Sequence, residues 1–213
     1  MAKYVYAFRE GNRDQKYLLG GKGANLAEMT SIGLPVPPGF TISTDACKAY
    51  MAAGNVLPDG LMGEVADARA ALEAEAGKRL GDETDPLLVS VRSGAAFSMP
   101  GMMDTVLNLG LNDTSVKGLA KQTGNDRFAW DSYRRFVQMF GKIVLGVPAD
   151  LFESALHDTV EAKGVTSETG LSAEDLAALT DTFKHIVSLE TGEEFPQDPD
   201  GQLAAAIEAV FRS

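Results

Sequence analysis

The sequence predicts an α+β protein, with a mixed α/β lobe over residues 1–111 and a helical subdomain over residues 112–198. Short runs of β-branched and aromatic residues alternate with helical segments in the first part, and such runs stop from residue 114 onwards. In the second part, apolar residues recur every three or four positions, the period of amphipathic helices. Residues 199–213 are expected to begin a helix that returns to the α/β part and is cut short where the sequence ends.

Glycine, proline and capping residues bound the predicted elements of the first lobe. Gly20 and Gly21 open a helix that Gly33 can close, with Leu26, Met29 and Thr30 on one face and Lys22 in its first turn. The other expected elements are strand Tyr4–Phe8, strand Phe40–Ile42, a helix capped by Thr44 or Ser43 that runs to about Ala53, helix Leu61–Leu80 stopped by Gly81, strand Leu87–Arg92 and strand Val106–Leu109. In the strand before Arg92, residues Leu88, Val89 and Val91 are expected to be buried.

Four helices are predicted in the second half. Asn125 can cap the longest of them, and Ser172 with Asp175 forms a capping box at the start of another. Arg134 and Arg135 fall on or beside the polar face of the long helix. The four helices are expected over Asn125–Leu145, Pro148–Ala162, Ser172–Glu190 and Asp200–Arg212.

Composition excludes several classes of function. Of the 213 residues, 45% are hydrophobic and 23% are charged, and the formal net charge is −11. Nucleic-acid and anionic-membrane partners both require a basic face, so neither is expected. Residues 1–111 carry 10 of the 19 Lys/Arg and 13 of the 30 Asp/Glu, and are therefore the half more tolerant of an anionic ligand.

The few chemically reactive side chains do not form a recognisable catalytic set. Cys47 is the single cysteine, so no internal disulfide is possible and a reducing, cytoplasmic location is expected. His157 and His185 each lie in a helical stretch without metal-ligand spacing, and both are interpreted as solvated histidines. The N-terminus is not a signal peptide, and no apolar run approaches the length of a membrane span.

The candidate site is the stretch Ser93–Thr105, SGAAFSMPGMMDT, which follows an apolar run and Arg92. It has no regular period and is predicted to be a mobile loop, whose glycines and preceding arginine suit an anion such as phosphate. Lys22 follows a glycine turn, where a cation is disfavoured unless an anion shares the site. From the residues alone, an ordinary turn beside Arg92 and a solvated Lys22 remain alternative explanations.

Three motifs resemble the pyruvate, phosphate dikinases over essentially the whole chain. They are GGKGANLAEMTSIGLPVPPGFTIST, SVRSGAAFSMPGMMDTVLNLGLND and FAWDSYRRFVQMFG, in the order of the family. The resemblance implies an incomplete ATP-grasp nucleotide-binding domain, in which Lys22 and Arg92 contact the ATP phosphates. It further implies ATP-binding roles for Arg135 and for residues of the loop, namely Ser93, Gly94, Gly101, Met103, Asp104 and Thr105.

The family's reaction converts ATP, pyruvate and phosphate to AMP, phosphoenolpyruvate and diphosphate through a phosphohistidine on a swivelling domain. The resemblance places that histidine, the Mg²⁺ ligands and the pyruvate-binding barrel beyond Ser213, and the family's homodimer forms through that barrel. No catalytic or metal-binding residue is therefore expected in this chain. The fragment alone is expected to be inactive and to bind ATP and Mg²⁺ weakly or not at all. Two alternatives stay open: the water-using phosphoenolpyruvate synthase, and a stand-alone, non-catalytic nucleotide- or anion-binding module.

Overall fold

A computed structural model describes residues 2–94 and 103–213 as an α+β protein in which helices predominate and short strands pair in twos. The helices are α1 (Lys16–Ser31), α2 (Thr44–Ala52), α3 (Leu61–Ala76), α4 (Ser115–Thr123), α5 (Asp126–Ile143), α6 (Ala149–Ala162), α7 (Ala173–Thr191) and α8 (Pro199–Arg212). The strands are β1 (Val5–Ala7), β2 (Phe40–Ile42), β3 (Arg79–Leu80), β4 (Pro86–Leu87), β5 (Val89–Val91) and β6 (Val106–Leu109).

The chain divides into two compact units. The first comprises the described residues up to Gly77, those of 92–104, and Val210–Ser213; the second comprises Lys78–Val91 and Thr105–Ala209. The predicted division at residues 111–112 falls inside the second unit, since strands β3 to β6 group there with the helices. The functional division of the chain into lobes stays a prediction.

In the first unit, β1 and β2 form an antiparallel pair in which Val5 faces Ile42. Helix α1 turns small residues towards the interior: Gly23, Ala24 and Ala27 are buried. Met29, which the sequence places on one face with Leu26 and Thr30, is 40% exposed.

Helix α3 is shorter than predicted. It ends at Ala76 because Gly77 adopts a left-handed conformation, with φ of 66°, and not at Gly81. Arg79–Leu80, expected to be helical, instead pairs in parallel with Pro86–Leu87. Near the other end of α3, the Glu64 carboxylate accepts hydrogen bonds of 2.8 Å from the backbone N–H groups of Tyr4 and Val5, which fixes the helix to β1.

In the second unit, Asp82 organises the turn between β3 and β4. Its carboxylate accepts hydrogen bonds from the Thr84 hydroxyl at 2.6 Å, the Thr84 N–H at 2.7 Å and the Asp85 N–H at 2.9 Å. These bonds, the hydroxyl first, lower the pKa of Asp82 to about 2.

The core of the second unit lies along α5, which packs against α4 and α7. The sequence of this helix has apolar residues at steps of three and four, which predicts a buried face. Five of these positions are buried, namely Ala129, Tyr133, Phe136, Val137 and Phe140, whereas Ile143 and Val144 are only half-buried. The capping predictions are confirmed as well. The side chain of Asn125 accepts from the Phe128 N–H, and Ser172 and Asp175 form the predicted capping box. On β5, Val89 and Val91 are only half-buried, as is the preceding Leu88, which corrects the expectation of a buried strand.

Candidate functional site

Lys22 is presented by a break in α1. Gly20 has φ of 68° and ψ of 168°, a conformation essentially restricted to glycine, so the helical run is interrupted there. Lys22 is the second residue after the break and its side chain is exposed. The predicted position of this lysine in the first turn of a helix is therefore confirmed, and the first turn is where the helix dipole favours an anion.

A hydrogen bond joins Lys22 to the predicted loop. The Lys22 Nζ donates to the backbone carbonyl oxygen of Ser93, 71 residues along the chain, at 2.9 Å. Both residues belong to the first unit. The acceptor is a neutral carbonyl, so the contact orients the ammonium without neutralising it, and the ammonium has three N–H donors.

The two described ends of the predicted loop also meet at Ser93. Its hydroxyl donates to the carbonyl oxygen of Met103 at 2.7 Å, and the residue is only 4% exposed. The neighbouring Arg92, Gly94 and Asp104 are exposed. The predicted site residue Gly101 lies outside the described residues, and Thr105 is half-buried and belongs to the second unit.

Arg135, predicted to contact ATP, lies on α5 in the second unit and is bound by carboxylates. Its guanidinium pairs with Asp131 at 3.0 Å and with Glu168 at 2.5 Å. Burial lowers the pKa of Arg135, but the hydrogen bond that it donates to Asp131 and the nearby carboxylate charges outweigh this effect and raise the pKa overall.

The expectation that Arg134 lies on or beside the polar face of α5 was wrong, because this residue is only 1% exposed. Its guanidinium contacts Asp131 at 2.7 Å and Glu168 at 3.0 Å and bonds to Gln138. Burial raises the pKa of Asp131, but the hydrogen bonds from Arg134 and Arg135 outweigh it and hold that pKa below its usual range. The arginine pair therefore fixes the segment around Glu168 to α5.

The prediction of two solvated histidines is confirmed. His157 and His185 are exposed on α6 and α7. Cys47 on α2 is half-buried, and burial raises the pKa of its thiol, which disfavours the reactive thiolate. Within residues 2–94 and 103–213, no group of three or more His, Cys, Asp or Glu side chains is arranged to hold a metal ion.

A groove of about 480 Å³ in the first unit does not suit the predicted ligand. It is lined by β1, the segment after it and α3, and neither Lys22 nor Ser93 contributes to it. Four of its lining residues are acidic, against two basic ones, so its rim disfavours phosphate. Its charged lining residues are Lys3, Arg9, Glu10, Glu64, Asp67 and Glu75.

The sequence around Lys22, and the chain as a whole, is similar to known proteins. Residues 16–59, which include Lys22, match the family model described as "Pyruvate phosphate dikinase, AMP/ATP-binding domain". The chain is 54% identical to pyruvate, phosphate dikinase of Clostridium symbiosum, over 100% of this chain and 24% of that protein. This chain is similar to the pyruvate, phosphate dikinases over its whole length. It is also 57% identical to the chloroplastic pyruvate, phosphate dikinase 1 of Arabidopsis thaliana, over 99% of this chain and 22% of the relative.

The similarity extends to pyruvate, phosphate dikinase 2 of Zea mays, which is 57% identical over 96% of this chain and 23% of that protein. The chain thus spans about a quarter of the length of the curated pyruvate, phosphate dikinases it matches. Among the described residues, no helix is both long and apolar enough to cross a bilayer. The cytoplasmic location stays a prediction, since some of these relatives are chloroplastic.

Proposed function

We propose that this chain forms part of the ATP-binding region of a pyruvate, phosphate dikinase, with Lys22 and Arg92 contacting the phosphates of ATP. The observation that carries the proposal is the hydrogen bond from the Lys22 ammonium to the Ser93 carbonyl. It joins the glycine turn to Ser93, the residue that follows Arg92, and this proximity along the chain supports a common site for the two proposed phosphate contacts. The similarity of residues 16–59 to an AMP/ATP-binding family model supports the same ligand.

The chemistry of this place suits a phosphate chain. The hydrogen-bond partner of the Lys22 ammonium is a neutral carbonyl, so this contact places no negative charge beside it that would compete with phosphate. Arg92 is exposed and offers forked N–H donors of the kind that bind phosphate oxygens in pairs. The backbone N–H groups that follow Gly20 add the positive end of a helix dipole. An ATP-grasp fold and a role for Arg135 are further parts of the proposal that rest on the family resemblance.

The complete reaction is proposed for the longer protein of which such a segment is part. In that protein, ATP, pyruvate and phosphate would give AMP, phosphoenolpyruvate and diphosphate, with Mg²⁺ shielding the phosphate charges. The described residues do not fit a metal site, so we place no magnesium ligand and no phosphoryl-transfer step on this chain. The exposed helix histidines His157 and His185 are not assigned as the phosphorylated residue. Dimerisation is proposed for the longer protein as well.

Nuclear magnetic resonance can test whether the chain binds ATP at Lys22 and Arg92. ATP is titrated into the 213-residue chain at concentrations up to several millimolar, and amide shifts around Lys22 and Ser93 are followed. A charge-assisted hydrogen bond contributes about 1.5–3 kcal/mol, so Lys22→Ala or Arg92→Ala should weaken binding by about 10-fold or more. The expected result is a shift change in the wild-type chain that either substitution reduces strongly or abolishes.

Matched controls separate a specific contact from loss of net charge. Lys16→Ala removes an exposed lysine from the start of α1, and Arg13→Ala removes an arginine of the same unit that is exposed as well. Both control variants should bind ATP with an affinity within about twofold of that of the wild-type chain. If the control and the site substitutions weakened ATP binding equally, that result would contradict a phosphate site at Lys22 and Arg92. Absence of ATP-dependent shifts in the wild-type chain would contradict ATP binding by this chain.

A further inference from the structure

Ser93 makes two hydrogen bonds with different groups of the candidate site. Its backbone carbonyl accepts from the Lys22 ammonium at 2.9 Å. Its hydroxyl donates to the Met103 carbonyl at 2.7 Å. The residue is 4% exposed, whereas its two neighbours Arg92 and Gly94 are exposed.

This arrangement leaves the Ser93 hydroxyl poorly placed to contact a ligand. A hydroxyl has a single hydrogen to donate, and that of Ser93 is engaged by the Met103 carbonyl. Burial separates the side chain from solvent, and therefore from an exposed ligand beside Arg92. The family resemblance had suggested a direct ATP contact for Ser93, and its geometry supports a different role.

We propose that Ser93 is a positioning residue, which fixes the Lys22 ammonium and Arg92 for phosphate without touching the nucleotide. The inference rests on the proposed function of Lys22 and assigns Ser93 the role of ordering that site. The hydroxyl bond to Met103 fixes the backbone of Ser93, and this backbone carries the carbonyl that orients Lys22. Arg92 and Asp104 are exposed and are the chain neighbours of the two bonded residues, Ser93 and Met103.

The contrast with Arg135 shows why a carbonyl acceptor matters. Arg135 is oriented by two carboxylates, which also neutralise its charge. Lys22 is oriented by a peptide carbonyl, which fixes its position and leaves a full positive charge for an anion. A buried serine whose hydroxyl holds that carbonyl in place is thus a means of ordering a cation at little cost to its electrostatic attraction.

The test combines a spectroscopic readout that needs no nucleotide with a binding readout. In the wild-type chain at low temperature, the hydrogen bond should slow proton exchange enough for the Lys22 ammonium to give a ¹H–¹⁵N signal. Ser93→Ala should broaden or abolish this signal and weaken ATP binding by about 3- to 10-fold. Ser93→Thr, which keeps the hydroxyl, should restore both. The matched control is Ser43→Ala, since Ser43 is 1% exposed and its hydroxyl has no hydrogen-bond partner among the described residues.

The outcomes distinguish a positioning role of Ser93 from direct contact with the nucleotide and from a general effect on stability. Weaker ATP binding of Ser93→Ala with an unchanged Lys22 signal would place Ser93 in direct contact with the nucleotide and overturn the inference. An unchanged signal together with unchanged binding would overturn it as well. Loss of the signal after both Ser93→Ala and Ser43→Ala would indicate general loosening of the first unit, which also refutes a specific role. If the wild-type chain does not bind ATP, the proposed function fails, whereas the Lys22 signal still tests whether Ser93 positions the lysine.

Discussion

The close packing of Gly23 gives the sharpest stability prediction. A Cβ atom at this position would lie 2.7 Å from Cγ2 and 2.8 Å from Oγ1 of Thr41, and 3.3 Å from Cβ of Leu19. Thr41 is on β2, and its branched side chain has only χ1 to rotate, so neither atom can move away independently. Inserting a methyl group into such a contact costs about 1–3 kcal/mol.

Gly63 provides the reference for Gly23→Ala. It is the third residue of α3, and a Cβ atom added there would have no other atom within 4 Å, so the position lacks any steric reason to be glycine. Gly23 is likewise the third residue after the break at Gly20. Both substitutions should gain up to about 1 kcal/mol from helix propensity. The difference between them isolates the packing cost, and we expect Gly23→Ala to be less stable than Gly63→Ala by about 1–3 kcal/mol.

Amide hydrogen exchange of α1 and α3 is the suitable assay, because it reads the first unit directly. Trp130, the single tryptophan, lies on α5 in the second unit and reports unfolding there. In a Thr41→Ala background, both close contacts of the added methyl group with Thr41 disappear, so the difference should fall below about 1 kcal/mol. Equal free energies of opening for Gly23→Ala and Gly63→Ala would refute the packing argument.

Further predictions concern the second unit. Arg134→Ala should destabilise it by about 3–5 kcal/mol because two carboxylates lose a buried partner. Arg135→Ala, at an arginine whose side chain is 52% exposed, should cost less than about 1 kcal/mol. Urea unfolding followed by Trp130 fluorescence measures both, and equal losses would contradict the burial argument. The folded-state pKa of Asp82, about 2, lies below its unfolded value of 3.8, so its contribution is complete above pH 3.8 and is lost as the pH falls towards 2. Asp82→Asn should make the unfolding midpoint less pH-dependent in that window, and an unchanged pH profile would exclude Asp82 as its source.

Local signals predicted much of the fold. Strands Phe40–Ile42 and Val106–Leu109 have the predicted bounds, and the caps at Asn125 and Ser172 form as expected. These predictions succeeded because strand propensity, capping chemistry and helical periodicity act over a few neighbouring residues. The end of α3 at Gly77 shows the limit. Two glycines were available as stops, and the residues between them pair with Pro86–Leu87, a pairing that local propensity does not encode.

Long-range contacts account for the features of the fold and the site that the sequence did not predict. Arg134 is buried because Glu168, 34 residues away, lies beside it, and no pattern in the sequence of α5 predicts that partner. Lys22 and Ser93 were both predicted as site residues, but their direct hydrogen bond spans 71 residues. The role of Gly23 was missed, although its position on the same helical face as Ala24 and Ala27 was a signal of close packing.

In the segment from Gly20 to Gly23, the two end glycines and the lysine are present for different physical reasons, and this difference bears on function. Gly20 is required by its backbone angles and Gly23 by the proximity of Thr41, so both glycines are accounted for without a ligand. Packing does not explain the positive charge of Lys22, which is exposed and makes a hydrogen bond that a neutral donor could also make. Lys22→Gln, which removes the charge and keeps a donor, should therefore change the stability of the first unit by less than about 1.5 kcal/mol while ATP binding is lost. A larger loss of stability, measured by amide exchange of α1, would show that the charge of Lys22 serves the fold instead of the ligand.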